Sequence, residues 1–316
     1  MEAHILHILF ILLGIKYTSG NINEATEFAR NPEQYTSFYL YSSIRFEDAE
    51  TLLIYDPDVL MSSKFNPELP TRMLIHDFNG NKNDDFNRYV VAAYLLHQDL
   101  NIIVVDWSSA VNIEMKNYQV AVHNTVLVGN VIGSFLEFLN SALEYPLNQV
   151  YLIGFGLGAH AAGFAGKKVK SGVIGTIFAL DPTGYPFNVN NTATRLSSDD
   201  AEYVEVIHTN FLNFGTYSAI GTADFYANGG GVQLGCPGRA TMCSHQRSFK
   251  IFAESVNNPN GFKGKICEGV LEATSGAQCR GNAEQYYVGG EPARINQLGI
   301  FSFRTGLTDP YSRVLA

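Results

Sequence analysis

Basic charge is scarce in this chain: 21 Lys and Arg stand against 30 Asp and Glu, a net charge of −9. That balance disfavours polyanionic partners, nucleic acid among them. It equally disfavours electrostatic attraction to an anionic membrane, so peripheral contact with a lipid surface would rest on apolar loops. Only four cysteines occur, Cys236, Cys243, Cys267 and Cys279, with no C-x-x-C and no paired His spacing beside them. This pattern argues against a zinc centre and for disulfides formed in an oxidising compartment. Three pairings can be drawn; Cys236 with Cys243 and Cys267 with Cys279 close the short loops that local geometry satisfies most easily. No metal and no other cofactor is implied. The apolar run Ile5 to Ile15 is shorter than the ~20 residues that span a bilayer. With Thr18-Ser19-Gly20 behind it, it reads as a signal peptide over residues 1–20, ahead of one domain over 21–316 that is secreted and extracellular. In that setting Asn190-Asn191-Thr192 is a glycosylation sequon at Asn190.

What is present is a 46% hydrophobic chain of 316 residues, long enough to bury a sizeable core. Strand-length apolar runs at Thr71 to Ile75, Asn101 to Val105, Gln149 to Ile153, Thr176 to Leu180 and Tyr203 to Ile207 alternate with helix-length segments. The stretch Tyr118 to Leu143 carries apolar residues at helical spacing and can serve as a crossover helix between parallel strands. The pattern predicts an α/β fold: a mostly parallel central sheet flanked by helices. The turns that follow these strands should share one rim, because open α/β sheets bind ligands at the carboxyl ends of their strands.

Tyr151-Leu152-Ile153-Gly154-Phe155-Gly156-Leu157-Gly158 has the strand-then-glycine form of the G-x-S-x-G nucleophile elbow, with Gly156 where the serine should be. Ser244, Ser108 and Ser109 are the nearby hydroxyls by motif, and none sits on an elbow. Other motifs follow in order: Ile75-His76-Asp77-Phe78, Val104-Val105-Asp106-Trp107, Ala179-Leu180-Asp181-Pro182, Val206-Ile207-His208-Thr209, Asp224-Phe225-Tyr226-Ala227-Asn228-Gly229-Gly230, Cys243-Ser244-His245-Gln246-Arg247 and Tyr286-Tyr287-Val288-Gly289-Gly290. Over nearly all the mature length the chain resembles the pancreatic lipase family, specifically its short secreted phospholipase A1-type members. The resemblance implies an α/β-hydrolase fold in a single domain, without the C-terminal β-sandwich that binds colipase in longer relatives, so no colipase is expected.

By the same resemblance Asp181 corresponds to the triad acid, His245 to the general base and Gly156 to the lost nucleophile. The oxyanion hole falls to the backbone N–H groups of Phe78 and Leu157. The family usually has glycine after the first-motif histidine; here Asp77 would oppose a developing negative charge unless its side chain turns outward. Phe155, where the family commonly has histidine, is a further departure. The loop Pro237 to Met242 falls at the family's lid and is short, which goes with an open cleft. These features imply a catalytically silent relative that holds lipid or phospholipid acyl chains as a carrier, storage or yolk-like protein; insect yolk proteins are the family precedent for a lost serine. The alternative is an active carboxylic ester hydrolase, a phospholipase A1 or triacylglycerol lipase, with a non-standard nucleophile. If the site is otherwise intact, Gly156→Ser should restore some ester hydrolysis and Asp77→Gly should raise it further.

Overall fold

A computed structural model describes residues 28–96, 100–110, 118–238, 242–275, 279 and 284–313. The expected signal peptide at 1–20 and residues 239–241 of the expected lid lie outside them. The described strands are β1 (Ser37–Tyr41), β2 (Glu50–Leu52), β3 (Thr71–Ile75), β4 (Asn101–Asp106), β5 (Val150–Phe155), β6 (Thr176–Leu180), β7 (Tyr203–His208), β8 (Ala223–Ala227), β9 (Lys263–Cys267), β10 (Tyr286–Tyr287) and β11 (Gly299–Phe303). They form one sheet in the order β10-β9-β11-β8-β7-β6-β5-β3-β4-β1-β2. From β4 through β11 neighbouring strands run parallel, and antiparallel strands close both edges. This is the α/β-hydrolase fold.

The central strands are buried along their whole length, as in β3, β6, β7 and β8, because helices cover both faces and leave no side for polar alternation. Two apolar layers result. On one face the helices α3 (Tyr118–Leu143) and α4 (Leu157–Lys168) pack over Met73, Ile103, Leu152 and Ile177. On the other, α2 (Asp85–Tyr94) and α5 (Met242–Asn257) cover Leu74, Val104, Ile153 and Phe178. The helix α3 is long and apolar enough to cross a membrane by composition, but it is spent on the core. Its Gly129 lies so close to α4 that an added Cβ would stand 2.4 Å from Phe164 Cβ and 2.7 Å from the Ala161 carbonyl.

Two disulfides, Cys236–Cys243 and Cys267–Cys279, join sequence neighbours with Cα separations of 5.7 and 4.8 Å. The first ties the chain before α5 to its opening turn, two residues ahead of His245. Asn190 is exposed, on the loop after β6.

Candidate active site

The site sits where β3, β5, β6 and β7 end. At the end of β5 the chain turns into α4 through Gly156, with φ +55° and ψ −114°, a conformation that strains any residue with a side chain. Its flanks are glycine for steric reasons. A Cβ on Gly158 would lie 2.1 Å from the Ile75 carbonyl oxygen, and one on Gly154 would lie 2.4 Å from that of Gly158. The strand-turn-helix geometry of a nucleophile elbow is therefore intact without its hydroxyl.

Asp181, just beyond β6, is fully buried and every direction of its carboxylate is used. Oδ1 accepts from the Thr209 and Asn210 amides at 2.7 and 2.9 Å, and Oδ2 meets His245 Nδ1 at 2.6 Å. Its backbone has φ +45°, and the bare Gly215 lets it fit, since a Cβ there would approach Oδ1 to 2.5 Å. His245 comes from the first turn of α5. Its carbonyl accepts from Thr209 and Ser248 hydroxyls, and its ring lies 4.4 Å from Phe155 and 5.4 Å from Phe214, centroid to centroid.

The Asp77 side chain turns inward. Its Oδ1 accepts the Leu157 amide at 2.7 Å and its Oδ2 meets His245 Nε2 at 3.1 Å. A Cβ built on Gly156 would collide with that carboxylate, 2.1 Å from Oδ1 and 2.6 Å from Oδ2. The carboxylate thus fills the volume that a serine at 156 would need, and it takes one of the two amides expected to hold an oxyanion. This corrects one expectation from the sequence: with its Leu157 amide taken by Asp77, the Phe78 and Leu157 pair is not an open oxyanion hole. The condition on which serine at 156 was expected to restore hydrolysis, an otherwise intact site, is not met while Asp77 points inward.

The loop carrying Asp77 is held from behind. His76 Nε2 accepts the Trp107 amide at 3.1 Å, so its Nδ1 carries the proton donated to the Asp77 carbonyl at 2.8 Å. The two rings stack, and the indole donates to the His76 carbonyl.

His245 therefore lies between two carboxylates. Burial by itself would lower its pKa, but hydrogen bonds and charge from Asp181 and Asp77 outweigh burial and raise it to about 9. At neutral pH the ring is an imidazolium and cannot act as a base. His160, also in the elbow motif, behaves oppositely. Burial holds its pKa down at about 4; it accepts the Leu196 amide on Nδ1 and donates from Nε2 to Thr183, so it is a neutral structural residue. Ser244 Oγ accepts the Gln233 amide, and Ser109 is exposed; neither hydroxyl is joined to His245. Sequence reasoning missed the Thr209 and Asn210 amides and Gly215, which position Asp181; the Val206-Ile207-His208-Thr209 motif was the available signal. Among the described residues, the cluster with metal-ligand geometry is Cys267, Glu272 and Cys279, whose two sulfurs are bonded to each other.

The lipase family model matches residues 16–300. The human inactive pancreatic lipase-related protein 1 is 32% identical over 73% of this chain and 54% of its own length, and the dog protein of the same name is 33% identical with the same coverage. Pig pancreatic triacylglycerol lipase is 30% identical over 88% of this chain and 67% of its own. The chain spans about half the length of the first of these relatives. Among solved structures, an esterase from Pyrococcus furiosus overlaps 45% of this chain and 62% of its own at 17% identity, with a TM-score of 0.34. The match across 16–300, with the glycine elbow and the Asp181–His245 pair in place, establishes that the chain is a member of the lipase family.

Proposed function

We propose that this chain is a secreted lipase-family protein that does not hydrolyse esters and serves to hold an acyl lipid, as a carrier or storage protein. The observation that carries this reading is the Asp77 carboxylate. It stands where a serine hydroxyl would be, uses the Leu157 amide, and keeps His245 protonated. Ester hydrolysis by this family's chemistry needs a hydroxyl at 156, a neutral imidazole and two free amides; Asp77 fills the space of the first, charges the second and takes one of the third. In the lost triad we assign Asp181 as the acid and His245 as the former base. Secretion is supported by the apolar run and small residues before position 21 and by the two disulfides. Asn190, exposed in its sequon, is the expected glycan acceptor.

Lipid contact is supported by apolar side chains around the site. Phe214 packs by His245 and is partly open to solvent, and Tyr185 and Leu212 on the adjoining loops are exposed. Exposed apolar groups beside the site favour an acyl surface, and they need no basic patch. Turnover of dispersed phosphatidylcholine and triacylglycerol should match the blank, and solvent extraction of the purified protein should yield stoichiometric acyl lipid. Hydrolysis above blank that disappears in His245→Ala would overturn the silent reading; an empty cleft would overturn the carrier role.

A further inference from the structure

Asp77 and Gly156 occupy each other's space. The lost hydroxyl is replaced, within the same volume, by a carboxylate on the neighbouring loop. Its Oδ1 sits on the amide that follows the elbow, its Oδ2 sits 3.1 Å from the ring nitrogen of a histidine backed by Asp181, and the bare Gly156 leaves room for both oxygens. Of the three side chains Asp77 is the accessible one: it keeps 14% of its surface, against 2% for His245 and none for Asp181. An incoming molecule meets Asp77 first.

A carboxylate is a poor agent against an ester carbonyl, because the tetrahedral adduct expels the carboxylate rather than the more basic alkoxide. It is competent against a strained saturated carbon, where its product is a stable ester. We propose that Asp77 is a carboxylate nucleophile and that the site opens aliphatic epoxides, with His245 and Asp181 hydrolysing the resulting Asp77 ester to a vicinal diol.

Asp77 Oδ2 forms a bond to a ring carbon as the carbon–oxygen bond of the ring breaks, and the ring oxygen, departing on the side away from Asp77, takes a proton from solvent. Asp77 is then a neutral ester, so His245 loses one of the two charges that held its proton and releases it to solvent. Its Nε2 next accepts a proton from water, whose oxygen adds to Asp77 Cγ. The negative charge forms on Oδ1, already hydrogen-bonded to the Leu157 amide. Collapse breaks the bond between Cγ and the alkyl oxygen, which takes the proton from His245. The diol leaves, the new carboxylic acid returns its proton to His245, and the net reaction is epoxide plus water to diol. Epoxide is favoured over alkyl halide because ring opening keeps the departing oxygen attached to the substrate, so the site needs no separate place to hold a released anion. From the lipid reading the proposal takes only the aliphatic chain of the substrate.

The test uses the wild-type protein with 1,2-epoxyoctane, and in parallel with propylene oxide, in water enriched in oxygen-18. The proposal expects diol above the buffer rate. With protein in excess over epoxide, the first diol should carry no label and the peptide containing Asp77 should gain the heavy oxygen. Asp77→Ala should return diol formation to the buffer rate. His245→Gln should lose the general base, a step worth about 10²–10⁴-fold, and therefore accumulate one epoxide mass on Asp77. No diol and no Asp77 label in the wild type would overturn the proposal, as would alkylation that falls on His245 or persists in Asp77→Ala. Reaction of propylene oxide alone would support the nucleophile while counting against an acyl-binding cleft.

Discussion

Asp77 and Gly156 are best understood as one exchange of volume. The family's small residue after the histidine and serine at the elbow have become a carboxylate and a bare backbone, and each change makes sense of the other. Gly156→Ser alone should therefore be destabilising on two counts. The φ of +55° costs a side chain about 1–3 kcal/mol, and the new Cβ meets the Asp77 carboxylate at 2.1 Å. Urea unfolding should show a lower midpoint for Gly156→Ser, and the loss should shrink when Asp77→Gly is added; a serine variant more stable than wild type would refute the steric argument. The charge at 77 has its own signature. The His245 imidazole, followed by NMR, should titrate near pH 9 in the wild type and lower in Asp77→Ala. Because the folded pKa is raised, the stability contributed by the charged ring is complete below its unfolded pKa of about 6.5. It is lost as pH rises through about 9. An unchanged midpoint in Asp77→Ala would mean that the two side chains are uncoupled in solution.

At the level of elements, β3 to β7 were legible because strands covered on both faces read as unbroken apolar runs, and α3 was legible from its helical spacing. β8 and β11 were not recognised as strands. In β8 the polar Asp224 interrupts the run, and only the fold reveals its partners, His208 and the amides of Ile220 and Gly221. β11 starts at an exposed Gly299 and alternates, a short signal easily taken for a loop. That Asp181 and His245 belong together was readable from motifs, but the direction of the Asp77 side chain was not, since it depends on space left by a residue about 80 positions away. Helix packing also lies beyond sequence periodicity: nothing in it marks Gly129 as the point where α3 meets α4. Gly129→Ala gains helix propensity of roughly 1 kcal/mol, yet here the added methyl would clash with Phe164 and the Ala161 carbonyl, an overpacking cost of about 1–3 kcal/mol. A net loss of stability in urea is expected; a gain would show that the helices can separate freely.

Across the whole molecule, segments distant in sequence are locked by buried charge. Arg72 on β3 makes a two-pronged contact with Glu291, 219 residues on, and lies over the Tyr151 ring. Glu291→Ala would strand the buried guanidinium and should cost about 3–5 kcal/mol, read as a large fall in the unfolding midpoint; replacing both partners by apolar residues should recover most of it. The same organisation presents an α/β-hydrolase scaffold whose elbow volume is filled by the Asp77 carboxylate. The most direct test of that claim is ester turnover by four proteins: wild type, Gly156→Ser, Asp77→Gly and the double variant. Only the double variant, with a hydroxyl at 156 and the Leu157 amide released, should hydrolyse esters above the blank. Equal turnover by Gly156→Ser and the double variant, or hydrolysis by the wild type that is lost in His245→Ala, would contradict the account.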